Sequence, residues 1–135
     1  MTDKANSELL RRAWAAFDRG DEEGFANCVS DGWCEHRGRG DPASLDQMRL
    51  LLRQLRTAFP DQHTDIHHVV ADNTMAACHC TIRATHTGPL FGIEPTGKRV
   101  VVHEMMFNRV ENGRLRETWT MSDSPGLMEQ ITGSP

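Results

Sequence analysis

Toward its C-terminal end the sequence interleaves one imidazole and two carboxylates, His103, Glu117 and Asp123, with the large apolar side chains Met105, Phe107, Trp119 and Met121. Those residue types suit proton transfer beside a carbonyl. Removing a proton α to a carbonyl needs a base whose pKa lies near the working pH and a neighbouring donor to steady the enolate. Imidazole starts near neutrality, and a carboxylate among apolar neighbours is pushed upward. No phenol can share the task, because the chain has no tyrosine.

These groups act together only if the chain brings them to one face. Period-two alternation predicts strands at 63–70, 74–85, 97–110 and 114–124. The last two are joined through Glu111-Asn112-Gly113-Arg114, a hairpin signal because Asn and Gly tolerate positive φ. A two-residue Asn112-Gly113 turn sets Trp119 opposite Met106. A three-residue loop with Gly113 in a G1 bulge sets Trp119 opposite Met105 and Glu117 opposite Phe107. The bulged loop is preferred, since it gathers His103, Met105, Phe107, Leu115, Glu117, Trp119, Met121 and Asp123 onto one face. A slip of one residue would scatter the set over both faces.

Helices precede the sheet. Leu10, Ala13, Trp14 and Phe17 recur at helical spacing, Gly20 ends that helix, and Asp21 is placed to cap a second one carrying Phe25, Cys28 and Val29 inward. Trp33-Cys34-Glu35-His36 reads as a short strand, followed by a glycine-rich loop over 37–42. Ser44 and Gln47 form a capping box for a third helix with the stripe Leu45, Met48, Leu52, Leu55 and Phe59, stopped by Pro60. Three helices against a bent, mostly antiparallel sheet make a single α+β domain over 1–135, ending in a short polar tail at 132–135. Such a sheet leaves a concave pocket of the kind that takes small molecules.

The bulk numbers agree with one domain: 135 residues and a net charge of −4, which gives no electrostatic reason to expect nucleic acid or an anionic membrane. No apolar stretch approaches the ~20 residues that span a bilayer. Met1–Asn6 lacks the apolar core of a signal peptide, so a cytoplasmic location is expected. Cys28, Cys34, Cys78 and Cys80 contain no C-x-x-C pair and the seven histidines no H-x-x-x-H, so the thiols read as core and no metal is expected. His67 and His68 point to opposite faces of a strand and cannot jointly chelate. Gly92–Arg99 imitates a phosphate-binding loop, but Arg99 replaces the metal-holding hydroxyl, Pro95 lacks an N–H, and a strand follows where a helix should begin.

Taken in order, four segments resemble one family. The run from Thr85 to Val100 is similar to the "GTHxGxxxGxxPTGxxV" segment of SnoaL-like polyketide (ester) cyclases. Arg109, Gly113, Glu117, Trp119 and Asp123 resemble its "R…DG.I.E.W…D" ending, Leu127–Ile131 its "GLLxQLG" tail, and Ala58-Phe59-Pro60-Asp61 its "AFPD". The resemblance implies the cone shared with ketosteroid isomerase and nuclear transport factor 2, a homodimer through the outer sheet face, and an apolar small-molecule substrate. It implies ring closure by intramolecular aldol condensation without metal or cofactor. Its acid–base pair maps by strand position onto His103 and Glu117, with Asp123 a second carboxylate. Opening of an epoxide, or ligand binding without catalysis, are the rival activities for such a cone.

Several further residues are expected at the substrate. By the same resemblance His36, which follows Trp33 on the first strand, faces the pocket, and Trp33 itself is expected at the substrate. Met105, Phe107, Trp119 and Met121 are expected as pocket wall. His86 either holds the Thr-His-Thr-Gly turn or touches ligand, and His79 faces either the pocket or the dimer surface. The family often has Arg where this chain has His79, and Gly where it has Ala84, so the substrate itself does not carry over.

Overall fold

A computed structural model describes residues 3–133 of the chain; Met1 and Thr2 at one end, and Ser134 and Pro135 of the polar tail, lie outside the described residues. Helix α1 (Asp3–Arg19) turns Leu9, Leu10, Ala13, Trp14 and Phe17 inward, as their spacing requires. Gly20, at φ 68°, breaks it in the left-handed conformation. The Asp21 carboxylate then accepts from the Gly24 N–H at 2.9 Å and starts α2 (Glu22–Ala26). That helix is one turn long. Cys28 and Val29 are not in it, and Val29 instead opens β1 (Val29–Arg37), where it pairs with Leu115.

After the short β2 (Ala43–Ser44), the capping box forms as read: Gln47 N–H donates to Ser44 Oγ at 3.2 Å, and Ser44 N–H to Gln47 Oε1 at 2.8 Å. It launches α3 (Leu45–Ala58), which ends before Pro60. Four strands follow, β3 (His63–Ala71), β4 (Met75–Thr85), β5 (Arg99–Glu111) and β6 (Arg114–Ser122). A last helix, α4 (Ser124–Thr132), closes the chain.

The strands form one open sheet in the order β2-β1-β6-β5-β4-β3. Every pairing is antiparallel except β1 with β6, which is parallel. The fold is therefore the α+β class expected, with α1 and α3 over the concave face. Trp14, Phe17, Trp33, Met48, Leu52 and Met106 are buried there. A second cluster, Phe59, Leu90, Val100 and Ile131, fills the end of the cone beside α4. No helix among the described residues is long and apolar enough to cross a membrane.

The β5–β6 hairpin departs from the expected register. Asn112 and Gly113 both have positive φ, 53° and 75°, and Glu111 pairs directly with Arg114, so the turn has two residues. The bulge sits instead inside β6, at Arg116: Val110 pairs with Leu115, but Arg109 pairs with Glu117. Trp119 consequently lies opposite Phe107 and Met121 opposite Met105. The displaced bulge lets Leu115 stay buried in the core while every odd-numbered residue after it turns to the other face.

Candidate active site

Along β5 the even-numbered residues Val100, Val102, Glu104, Met106, Asn108 and Val110 are all buried on the concave side. Glu104 is the one acid among them. Its side chain is 5% exposed, and Oε1 has no hydrogen-bond partner among the described residues. Such a group requires an explanation, because a buried carboxylate oxygen without a donor is costly unless it carries a proton or meets a ligand. Glu104 faces a cavity of about 450 Å³ bounded by Phe17, Leu55, Phe59, Val102, Phe91 and Met128, a volume suited to a small organic molecule.

Arg37, the last residue of β1, reaches the same place. Its Nη1 stands 3.6 Å from Glu104 Oε2, and its Nε donates to Glu35 Oε1 at 2.8 Å. Thr120 holds the other Glu35 oxygen at 2.8 Å. Burial pushes the Glu104 carboxyl above its ordinary range; the Arg37 charge and the Ser122 hydroxyl pull it back, and Glu35 adds to the rise. Upward wins. On Arg37, burial works against the charge, but Glu35 and Glu104 outweigh it and hold the guanidinium firmly protonated. The cavity thus has apolar walls and, at one end, a guanidinium beside a carboxyl that retains its proton to higher pH than usual.

Deeper in the same face Trp33 Nε1 donates to Thr118 Oγ1 at 2.9 Å, and Thr118 in turn to Asn108 Oδ1 at 2.6 Å. Trp33 therefore points inward. It lines a void of about 30 Å³ with Glu35, Arg37 and Asn108 rather than the main cavity.

The other expected residues lie elsewhere. His103, Met105, Phe107, Glu117, Trp119 and Met121 do share one face, but it is the outer, convex one. Met105, Phe107, Trp119 and Met121 are 59%, 58%, 39% and 72% exposed and do not line the cavity. His103 Nδ1 is 3.3 Å from Thr81 Oγ1, also outside. Glu117 accepts from His36 at 2.7 Å through Oε2 and from Arg109 at 3.0 Å through Oε1; these bonds, His36's first, hold its carboxyl below the ordinary range. His36 stacks on Trp119 with ring centres 5.4 Å apart, facing out rather than into the pocket. His79 is on the same outer face, stacked on His68. Asp123 is the N-cap of α4, accepting from Gly126 N–H at 3.1 Å. Leu115 alone of the expected face goes inward, because of the bulge at Arg116.

His86 is wholly buried in the loop between β4 and β5. Its Nδ1 accepts from Thr96 N–H at 3.3 Å and lies 3.0 Å from Thr96 Oγ1, while its main chain bonds Lys98 and Gly97. The loop is fastened to the end of α3: Thr87 and Gly88 N–H both reach Ala58 O, and Asp61 takes the N–H and hydroxyl of Thr85 at 2.8 and 2.7 Å. A side chain at Gly88 would collide with the Thr57 carbonyl. Phe91 of the same loop lines the cavity.

Sequence reasoning missed Glu104, Arg37 and Glu35. A signal was present: a lone acid in the apolar series Val100, Val102, Met106, Val110, and a Trp33-x-Glu35-x-Arg37 alternation on β1.

A curved open sheet, helices over its concave side and one acid-bearing hollow define a nuclear-transport-factor-2-like cone. The family model described as SnoaL-like polyketide cyclase matches residues 8–131, and the chain belongs to that family. Among solved structures it is similar to AclR of Streptomyces galilaeus, provisionally assigned as a hydroxylase, at 25% identity and a TM-score of 0.90, over 99% of this chain and 85% of that one. It is likewise similar to IdmH of Streptomyces antibioticus, provisionally assigned as a polyketide cyclase, at 24% identity and a TM-score of 0.81, over 94% of this chain and 98% of that one. A SnoaL-like protein from Jannaschia Sp. CCS1 shares the fold at 18% identity and a TM-score of 0.84, over 99% and 96% of the two chains. No curated protein sequence matches the chain.

Proposed function

We propose that the chain is an acid–base enzyme for an apolar, carbonyl-bearing metabolite, with intramolecular aldol ring closure as its reaction and Glu104 as its proton carrier. The observation that carries this reading is the unpartnered, buried Glu104 oxygen beside an apolar cavity of about 450 Å³. In its ionised form Glu104 takes a proton from the carbon α to a carbonyl. The C–H pair becomes the enolate, whose oxygen Arg37 is placed to receive. The enolate carbon then bonds to a second carbonyl carbon of the same molecule, and the new alkoxide takes the proton back from Glu104. Family membership supports the reaction class. The raised carboxyl supports the role, because a base close to the working pH transfers protons best.

The test is exchange of the α-protons of an aromatic β-keto ester in deuterated buffer, followed by proton NMR with the full chain. Wild-type protein is expected to accelerate exchange, and Glu104→Gln to lose about a hundredfold or more of it. Equal rates for the two proteins would overturn the assignment. Binding of the ester without any exchange would favour a ligand-holding role for the same cavity.

The outer face supports a homodimer. Phe107 with Trp119, and Met105 with Met121, form two exposed cross-strand pairs side by side, an apolar patch that a lone chain seldom leaves in water. Arg109 and Glu117 next to it are already paired with each other. A second copy of the same face would thus meet no uncompensated charge there.

A further inference from the structure

We propose that Cys34 Sγ, His36 Nε2 and Glu117 Oε2 form a binding site for one divalent transition-metal ion of the zinc type, on the outer face of the sheet and separate from the cavity. The backbone sets the three donors. Cys34 and His36 are two apart on β1 and share a face, and the parallel pairing puts Glu117 of β6 directly beside Cys34 and Trp119 beside His36. The sulfur is 3.8 Å from the imidazole nitrogen, the nitrogen 2.7 Å from the carboxylate oxygen, and all three donor atoms lie within 4.8 Å of one another. Around a tetrahedral ion with bonds of about 2.0–2.3 Å, neighbouring donors stand roughly 3.3–3.8 Å apart. The His36–Glu117 hydrogen bond has to open, by about 0.6 Å on that geometry, and the sulfur and the carboxylate oxygen have to close to the same range.

The surroundings hold the donors in place. Trp119 stacks on the His36 ring at an interplanar angle of 12°, which fixes the plane of the imidazole. Arg109 donates to Glu117 Oε1, so Oε2, which bonds His36, is the oxygen turned toward the other two donors. Partners behind the ligands of this kind are what orient metal-binding side chains. A thiolate, an imidazole and a carboxylate together suit zinc or cobalt rather than magnesium or calcium. Binding displaces the thiol proton of Cys34 and the proton shared by His36 and Glu117. The thiolate and carboxylate charges offset the nearby Arg109. His36 and Glu117 keep 32% and 24% of their side-chain surface exposed, so a fourth position opens toward solvent.

Other histidines share this outer face: a register shift at His67 sets it on the same side as His68, contrary to expectation, both rings lie against His79, and His68 and His79 bring their Nδ1 atoms to 3.3 Å. The test therefore needs a signature of sulfur. Full-length protein, stripped with chelator and kept reduced, is titrated with cobalt(II) while thiolate-to-cobalt charge-transfer absorption is followed, and zinc is then added in competition. The expected result is saturation at one ion per chain, displacement by zinc, loss of the band in Cys34→Ser, and weakening of about a hundredfold in Glu117→Gln or His36→Asn. Circular dichroism shows that each variant is folded; if Cys34→Ser is not, the other two carry the test. Absence of the band, its survival in Cys34→Ser, or binding that is abolished only by His68→Asn with His79→Asn would overturn the proposal.

Discussion

Replacing Glu104 with glutamine should make the protein less active and, above neutral pH, more stable. Unfolded, this carboxyl titrates near its ordinary 4.5, and in the folded chain burial raises it above that. Below 4.5 both states hold the proton, so the buried site is under no charge penalty. As pH climbs from there toward the folded value, the unfolded chain releases its proton first, and wild-type stability falls. Above the folded value the fall is complete, and each unit of displacement amounts to about 1.4 kcal/mol. Arg37 does not reverse this sign. Its 3.6 Å approach to Glu104 is already included in a balance that still points upward, and the loss of Glu104 leaves Arg37 bonded to Glu35 at 2.8 Å. Glutamine has nearly the same shape and no charge to bury. Urea unfolding at pH 4 should find the two proteins within about 0.5 kcal/mol, the usual spread for a change outside special sites. At pH 8 the variant should be the more stable of the two, read as a higher urea midpoint and a higher melting temperature. A variant that is less stable at pH 8 than wild type, or a difference that does not change with pH, would refute the claim that this site disfavours its own charge.

Other substitutions probe the parts around it. Asp123→Ala removes the cap of α4 and should cost about 1 kcal/mol in urea unfolding, with α-proton exchange retained, since its carboxylate bonds Gly126 and lies outside the cavity. Gly88→Ala drives a methyl group into the Thr57 carbonyl and should destabilise by about 2 kcal/mol or more, read as a lower thermal midpoint. Phe107→Lys with Trp119→Lys should convert a dimer to a monomer in light scattering without changing the circular dichroism. An unaltered mass for that double variant would place any dimer contact elsewhere.

Much of the fold was legible because its signals are local. The Ser44–Gln47 box, the Asp21 cap and Gly20 each act within a few residues and form in the structure, and the Asn112-Gly113 hairpin forms too, with two turn residues instead of the preferred three. Helix α4 has such a signal too, Asp123 ahead of Ser124-Pro125, at a residue that the family resemblance makes a second candidate carboxylate. The site was harder to read. Both faces of β5 carry a mixture of apolar and titratable residues: Val101, His103, Met105, Phe107 and Arg109 on one, Val100, Val102, Glu104, Met106 and Asn108 on the other. Alternation fixes which residues belong together and is silent on which set meets the helices. The aromatic-rich set appeared the better pocket wall, yet α1 and α3 cover the other one.

The bulge at Arg116 shows why the family's C-terminal signature could mislead about geometry. Without it, continuation from the Val110–Leu115 pair would keep Glu117 and Trp119 in phase with Leu115, on the concave face. The extra residue reverses that phase. Leu115 remains in the core, Arg116 reaches across to the Gly32 carbonyl at 2.9 Å, and Glu117 emerges beside Cys34 and His36. One inserted residue thus divides the titratable groups of the sheet into two sets. Glu35, Arg37 and Glu104 stay in the apolar hollow, where burial raises the Glu104 carboxyl, and Glu117 joins His36 and Arg109 outside, where hydrogen bonds hold the Glu117 carboxyl down. Deleting Arg116 should therefore remove the bulge yet keep the register, because Leu115 and Glu117 then follow one another on opposite faces, still opposite Val110 and Arg109. Arg116→Ala loses one exposed hydrogen bond, the deletion loses that bond and the local twist of the bulge, and both variants should still melt cooperatively with Glu117 and Trp119 on the outer face.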